Sequence, residues 1–354
     1  DMSSLPAGRL GTIDMKIEDD PRTDPRIAKA IALENMPVTP APNTSDPIEV
    51  LIEYSNQIEK DWGLNHNAEW ENMPAFEQIE THQEIIEGVD GNAITLHIHR
   101  PKTQIGSLPA IVHTHGGGMT IMSAKDPSYV RWRSLLANQD LVVIGVEFRN
   151  AGGQLGSSPF PAGLNDCAAA TQWAFENKDR LNLSSIVISG ESGGGNLSIA
   201  TALKAKTENW LHKIDGVYAC CPYISGAYEE KPSELVSLIE NDQYLINCKQ
   251  MAVLAKLYDP DGRNSVNPLA WPYHSAREDL QGLPPHVVWT NELDPLRDEG
   301  IAFYRKLMAA GVSVSGQTAL GTCHAAETIF PDVIPEITLS LARSIANFAK
   351  SFSS

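Results

Sequence analysis

The chain is predicted to fold as an α/β protein, with one mostly parallel sheet of eight strands covered by helices on both faces. Two observations carry that expectation. Apolar runs beginning near Ala110, Leu141, Ile186, Val217, His286 and Val312 are mostly separated by helical stretches, and such alternation implies crossover connections between parallel neighbours. Ahead of these stand two further runs, His82 to Glu87 and Ala93 to His99, turned by Asp90-Gly91-Asn92 as an antiparallel opening pair. The 354 residues, 42% of them hydrophobic, suffice for one large core. Length alone would allow two domains; the order of the runs decides for one.

Taken in order, residues 1 to about 80 stand outside the alternation. They hold a Pro-rich connector at Pro37, Pro40, Pro42 and Pro47, then a helix-like piece from Pro47 to Trp62 with apolar residues at Ile48, Leu51, Ile52 and Ile58. After the opening pair, Leu108 to Thr114 reads as a strand running into His115-Gly116-Gly117-Gly118. Ser185 to Ser189 reads as a buried strand, Gly190-Glu191-Ser192-Gly193-Gly194 follows it, and Asn196 to Leu203 reads as a helix. A second stretch outside the alternation, about Ser225 to Ser275, contains a helical run from Cys248 to Tyr258 and the loop formers Asp261-Gly262-Arg263-Asn264. His286 then opens a strand continued by Val287-Val288-Trp289, and Val312 to Ala319 supplies the last.

Two of these junctions carry chemistry. G-x-S-x-G places a serine at a sharp strand-to-helix turn whose strained backbone tolerates only small neighbours, and Gly190 and Gly194 supply that smallness. By chance the pattern turns up roughly 0.1 to 0.2 times in a chain this long, and His-Gly-Gly-Gly roughly 0.003 times. Their joint occurrence, each after a strand, points to a nucleophilic serine facing an anion-stabilising loop. Ser192 then needs a base to take its proton and an acid to orient that base. Of the histidines after it, His212 and His274 have polar, loop-like surroundings, and His286 sits at the end of the sheet away from the serine. His324, in Gly321-Thr322-Cys323-His324, occupies a strand-end loop and is the expected base. Asp294 is the expected acid, because Pro295 disfavours helix for the residue before it and holds Asp294 in the loop after its strand. Asp298 and Glu299 fall in the first turns of the following helix, where negative charge is favourable on its own account.

With these residues in place the chain resembles the hormone-sensitive-lipase family of α/β-hydrolases, from about His113 to His324. The resemblance rests on the His-Gly-Gly-Gly loop, the serine elbow, the run Asp294-Pro295-Leu296-Arg297-Asp298-Glu299, and Phe148-Arg149 followed by Phe160-Pro161-Ala162-Gly163 and Asp166. It implies an α/β-hydrolase fold with a cap, and a serine carboxylesterase working through an acyl-enzyme without a cofactor. Ser192 would be the nucleophile, Asp294 and His324 its partners, and the backbone N–H groups of Gly117, Gly118 and Gly193 the oxyanion hole. Residues 1–80 become an N-terminal arm and cap, 81–224 and 276–354 the two parts of the core, and 225–275 a cap insertion. Trp62, Trp70, Met119, Met122, Tyr223 and Trp271 are candidates for the pocket lining.

The chain also departs from the family. Its elbow carries Glu191 and Gly193 where G-D-S-A-G is usual; Phe148-Arg149-Asn150-Ala151-Gly152-Gly153 replaces Tyr-Arg-Leu-Ala-Pro-Glu, and His324-Ala325-Ala326 replaces His-Gly-Phe. The long arm and the Gly-Glu-Ser-Gly-Gly-Gly elbow look most like a bacterial member that opens a macrocyclic lactone, so the expected partner is a small-molecule ester or lactone. The alternative, a non-catalytic small-molecule receptor on the same fold, goes with loss of the catalytic histidine, and His324 is in place. Members of the family sometimes pair through a sheet edge as homo-oligomers.

Composition narrows the partners. Of the formal net charge of −17, the first 90 residues hold 19 Asp and Glu against 6 Lys and Arg, or −13. No basic footprint for nucleic acid exists, and anionic membranes would repel the arm. Residues 1 to 20 lack the apolar core of a secretory signal, and no run approaches the ~20 apolar residues of a membrane span. Five cysteines, scattered apart from the adjacent Cys220-Cys221, read as free thiols in a reducing, cytoplasmic compartment, and Cys323 lacks the elbow a nucleophile needs. His97-x-His99 and His113-x-His115 each put two imidazoles on one strand face without a carboxylate or cysteine pattern; the first pair reads as exposed strand histidines, and no metal is expected. The glycine runs lack the Lys-Ser/Thr that completes a phosphate loop.

Overall fold

The computed structural model describes residues 12, 14–34, 38–71 and 73–353. Pro37 of the expected connector, and residues 1–11, 13, 35, 36 and 72 of the expected arm and cap, lie outside the described residues. Two helices come first, α1 (Pro25–Leu33) and α2 (Ile48–Glu71). The order continues β1 (Ile79–Glu87), β2 (Ala93–Pro101), β3 (Leu108–Thr114), α3 (Pro127–Ala137), β4 (Val142–Val146), α4 (Ala162–Glu176), β5 (Leu183–Glu191), α5 (Gly193–Thr207) and β6 (Gly216–Cys220). After β6 come α6 (Ser237–Glu240), α7 (Cys248–Tyr258) and α8 (Arg277–Leu280). The chain closes with β7 (His286–Asn291), α9 (Arg297–Ala309), β8 (Val314–Ala319), α10 (Ala326–Ile329) and α11 (Pro335–Lys350).

The eight strands form one sheet in the order β1-β2-β4-β3-β5-β6-β7-β8, the mostly parallel eight-stranded sheet that the apolar runs predicted. β1 with β2 and β2 with β4 are antiparallel, and every later pair is parallel. Strand periodicity sorts the core into two layers. Val112, Ile144 and Ile188 pack with Leu164 of α4 and Leu197 of α5 on one face. Their neighbours Ile111, Val143 and Val187 pack with Trp132 of α3 and Ile345 of α11 on the other. Each such fully buried Ile or Val contributes about 1.5–3 kcal/mol. Parallel strands buried on both faces read as continuous apolar runs, which is why they were visible.

Two expectations need correcting. α2 does not end near Trp62 but continues to Glu71. Gly63 masks the continuation in the sequence, yet Trp62, His66 and Trp70 recur every fourth residue along one face. Trp70 is fully buried, its indole donates to the Thr328 carbonyl, and its ring meets that of Trp132 edge-on at 6.4 Å. His97 and His99 are buried rather than exposed, because β2 lies inside the sheet and α3 covers it. His99 donates from Nδ1 to Ser134 Oγ (3.2 Å) and accepts at Nε2 from Arg133 Nε (3.1 Å). All five cysteines are buried and unpaired. Among the described residues no helix is long and apolar enough to cross a membrane.

Candidate active site

The functional side chains gather where the parallel strands end. Leaving β5, the chain turns so sharply into α5 that Ser192 adopts φ 56° and ψ −117°. That conformation costs on the order of 1–3 kcal/mol, and close packing on both sides holds it. A Cβ on Gly190 would lie 2.2 Å from the Thr114 carbonyl oxygen, and one on Gly194 would lie 1.9 Å from the same atom. The Thr114 hydroxyl donates to the Gly194 carbonyl (2.7 Å), and Ser192 N–H donates to the Cys220 carbonyl (3.0 Å). Strand β3, the elbow and strand β6 thus fix the serine jointly.

Asp294 follows β7 and is fully buried. Its Oδ1 accepts the Leu296 N–H at 2.9 Å, the tight loop expected of Asp-Pro, and Asn241 Nδ2 donates to its carbonyl at 3.0 Å. His324 follows β8 in a turn completed by Ala325, whose φ is 53°. The imidazole lies between the other two, with Nδ1 2.8 Å from Asp294 Oδ2 and Nε2 3.0 Å from Ser192 Oγ. With Nδ1–H donating to the carboxylate, Nε2 is left to accept the serine proton. The structure therefore brings together the three residues singled out by the motifs. Cys221 joins Asp294 and His324 in a group of donor atoms all within 4.8 Å of one another. Asp294 and His324 already use their facing atoms on each other, so the group fits a proton relay better than a metal ligand set.

Opposite the serine, Gly117 (φ 106°) and Gly118 (φ 62°) turn the loop after β3. A Cβ on Gly117 would fall 2.2 Å from the Ile121 carbonyl oxygen, and one on Gly193 2.7 Å from Gly118 N. The loop's own hydrogen bonds run from Thr120 and Ile121 to the Gly117 carbonyl, leaving the N–H groups of Gly117, Gly118 and Gly193 without an acceptor among the described residues. Such clustered free donors can stabilise an anion developing beside Ser192.

Side-chain partners around this frame were beyond sequence reasoning. Glu191, one residue before the serine, accepts from His113 Nε2 with both carboxylate oxygens at 2.9 Å. His115 stacks on Phe148 (4.3 Å between ring centroids), and burial pushes its pKa down to about 3. Arg149 pairs with Asp166 (3.0 Å) and Asp90 (2.7 Å). Glu299 lies in the first turn of α9 as expected, but it is also buried and accepts from Ile224 N–H and Ser225 N–H, both at 2.7 Å, and from the Tyr228 hydroxyl at 2.9 Å. Burial raises its pKa to about 8 against the pull of those donors. Asp298 is the half of the pair that stays near the surface, accepting from Ser237 N–H at 2.8 Å.

A narrow cavity of about 60 Å³ opens on Ser192 and His324. Trp62 and His66 of α2, Tyr129 of α3, and Leu245, Met251 and Leu254 in and before α7 are among its walls. Of the expected lining residues, Trp62, Met122 and Tyr223 take part, while Trp70, Met119 and Trp271 do not. Trp271 instead packs edge-on against Tyr223, Tyr228 and Tyr258. His66 lies one helical turn after Trp62, and that spacing is the sequence signal that marks it.

Comparisons with known proteins bear on the fold and the family. A family model described as alpha/beta hydrolase fold matches residues 111–328. Among solved structures, the chain is similar to brefeldin A esterase, described as a bacterial homologue of human hormone-sensitive lipase. The two are 43% identical, the match covers 99% of each chain, and the TM-score is 0.93. Esterase LipI of Mycobacterium tuberculosis is 29% identical over 73% of this chain and 78% of its own length. Carboxylesterase NlhH of the same species is 31% identical over 64% and 69%.

Proposed function

Since this chain belongs to the α/β-hydrolase fold family, in its hormone-sensitive-lipase group, and is a carboxylic-ester hydrolase, we propose that it works as a serine esterase through an acyl-enzyme. The observation that carries this reading is the continuous relay Asp294–His324–Ser192, with links of 2.8 and 3.0 Å. Ser192 Oγ attacks the ester carbonyl carbon as its proton passes to His324 Nε2. Asp294 fixes the tautomer and stabilises the imidazolium. The carbonyl oxygen, now an anion, takes the N–H groups of Gly117, Gly118 and Gly193, and losing one such donor commonly costs roughly 3 kcal/mol of transition-state stabilisation. Collapse breaks the bond to the alkoxy oxygen, which leaves with the proton from His324. Water then repeats the sequence on the acyl-enzyme and frees Ser192.

The N-terminal arm, through Glu34 and α2, and the segment 225–275 are proposed as the cap that chooses the substrate, because both contribute walls to the cavity. Similarity to brefeldin A esterase along the whole chain supports a macrocyclic lactone such as brefeldin A as the substrate; there the alcohol leaves the carbonyl but stays tethered to the acyl group. Hydrolysis of p-nitrophenyl esters from acetate to decanoate by the wild type and by Ser192→Ala tests the mechanism. Ser192→Ala is expected to lose on the order of 10⁴-fold or more in kcat. A folded Ser192→Ala enzyme with wild-type turnover would sink the reading.

A further inference from the structure

The cavity contains a second histidine that the relay does not use. Trp62 and His66 lie one turn apart on α2, so both side chains project to the same side of that helix and line the chamber over Ser192. Much of the wall around them is apolar, with Met122, Leu245, Ile246, Leu254 and Ile329 among its residues. His66 makes no hydrogen bond among the described residues. The ring is half-buried in this wall, so its two nitrogens are left to whatever polar group enters the chamber. Burial, reinforced by the neighbouring His324, pushes its pKa down to about 4, so at neutral pH it is an uncharged ring with one N–H donor and one acceptor nitrogen.

Position decides which part of the substrate it meets. His324 Nε2 returns the proton to the leaving oxygen, so whatever crowds His324 surrounds the alcohol portion of the ester. His66 is near enough to His324 for a charge on one to disfavour a charge on the other.

We propose that His66 is a specificity-determining residue that hydrogen-bonds a hydroxyl on the alcohol portion of the substrate, a few bonds from the ester oxygen, making hydroxylated esters and lactones the preferred class. This rests on the esterase reading above. One neutral hydrogen bond to a hydroxyl is worth roughly tenfold in discrimination.

The test uses a matched pair, 2-hydroxyethyl butyrate and propyl butyrate, which differ by a hydroxyl in place of a methyl. The full chain should favour the hydroxylated ester in kcat/KM. His66→Leu should lower that ratio roughly tenfold, chiefly through KM, and His66→Gln, which keeps a donor and an acceptor, should restore most of it. Thermal unfolding of each variant separates a lost contact from a damaged fold. An active wild type without the preference, or a ratio unmoved in a folded His66→Leu, overturns the assignment while leaving the esterase reading intact. A folded wild type inert towards both esters sinks the esterase reading and the proposal with it.

Discussion

At the scale of single residues, what could be read in advance was what the backbone demands. Gly190 and Gly194 flank the serine because no Cβ fits beside Thr114, and Asp294 is held in its loop by the proline that follows. Those demands are local, so they leave a mark in the sequence. Gly194→Ala gives the sharpest check: its methyl would meet the Thr114 carbonyl oxygen at 1.9 Å. The elbow must shift to admit it, at a cost of about 1–3 kcal/mol or more. We expect a lower Tm together with loss of most turnover; a variant with wild-type Tm and kcat would show that the elbow has slack. Glu191 was legible only as a carboxylate beside the serine. Its bond to His113 depends on the register of β3 against β5, which no short window of sequence contains.

At the scale of elements, the strands were legible because burial on both faces makes them continuously apolar, whereas α2 was cut short. Its C-terminal turns are mostly polar, and Trp70 holds them by packing against Trp132 of another helix. Tertiary anchoring of that kind overrides local propensity. Glu299 shows the same limit from the opposite side, since an acidic residue in the first turn of a helix is ordinary and only the fold reveals two backbone N–H groups of the loop after β6 aimed at it. Glu299→Ala strips both of their acceptor inside a buried region, and we expect a loss of about 1–3 kcal/mol. The reading is a fall in the urea midpoint at pH 7 with the m-value unchanged. Glu299→Gln, which retains a carbonyl oxygen, should lose less; equal losses would argue that the carboxylate itself, not the acceptor, holds the loop.

At the scale of the whole molecule, buried titratable groups give stability a two-sided dependence on pH. Burial lowers the pKa of His97 and His286 to about 4, of His115 to about 3 and of His99 to about 2, against ~6.5 when unfolded. Below ~6.5 the unfolded chain therefore binds more protons, so this part of the stability is intact above ~6.5 and is lost as the pH falls towards those values. Glu299 runs the other way. Its folded pKa of about 8 stands above the ~4.3 of an unfolded glutamate, so its contribution is complete below ~4.3 and is lost as the pH rises through 8. Unfolding free energy should fall from pH 6.5 to pH 5 by up to about 1.4 kcal/mol per pH unit for each histidine, and urea midpoints should fall with it. They should also decline more gently from pH 6.5 to pH 8; Glu299→Gln should remove that alkaline decline and steepen the acid arm, which Glu299 partly offsets above ~4.3. A midpoint constant from pH 5 to pH 8 would contradict both arms. The five cysteines bear on a different question, that of chemical inhibition. All are buried, and desolvation raises the pKa of each thiol, so little of the reactive thiolate exists in the native state. Alkylating and oxidising reagents must wait for the chain to open before they find sulfur. Inactivation by a thiol reagent would accordingly time the unfolding of this protein and would say nothing about a cysteine in its chemistry.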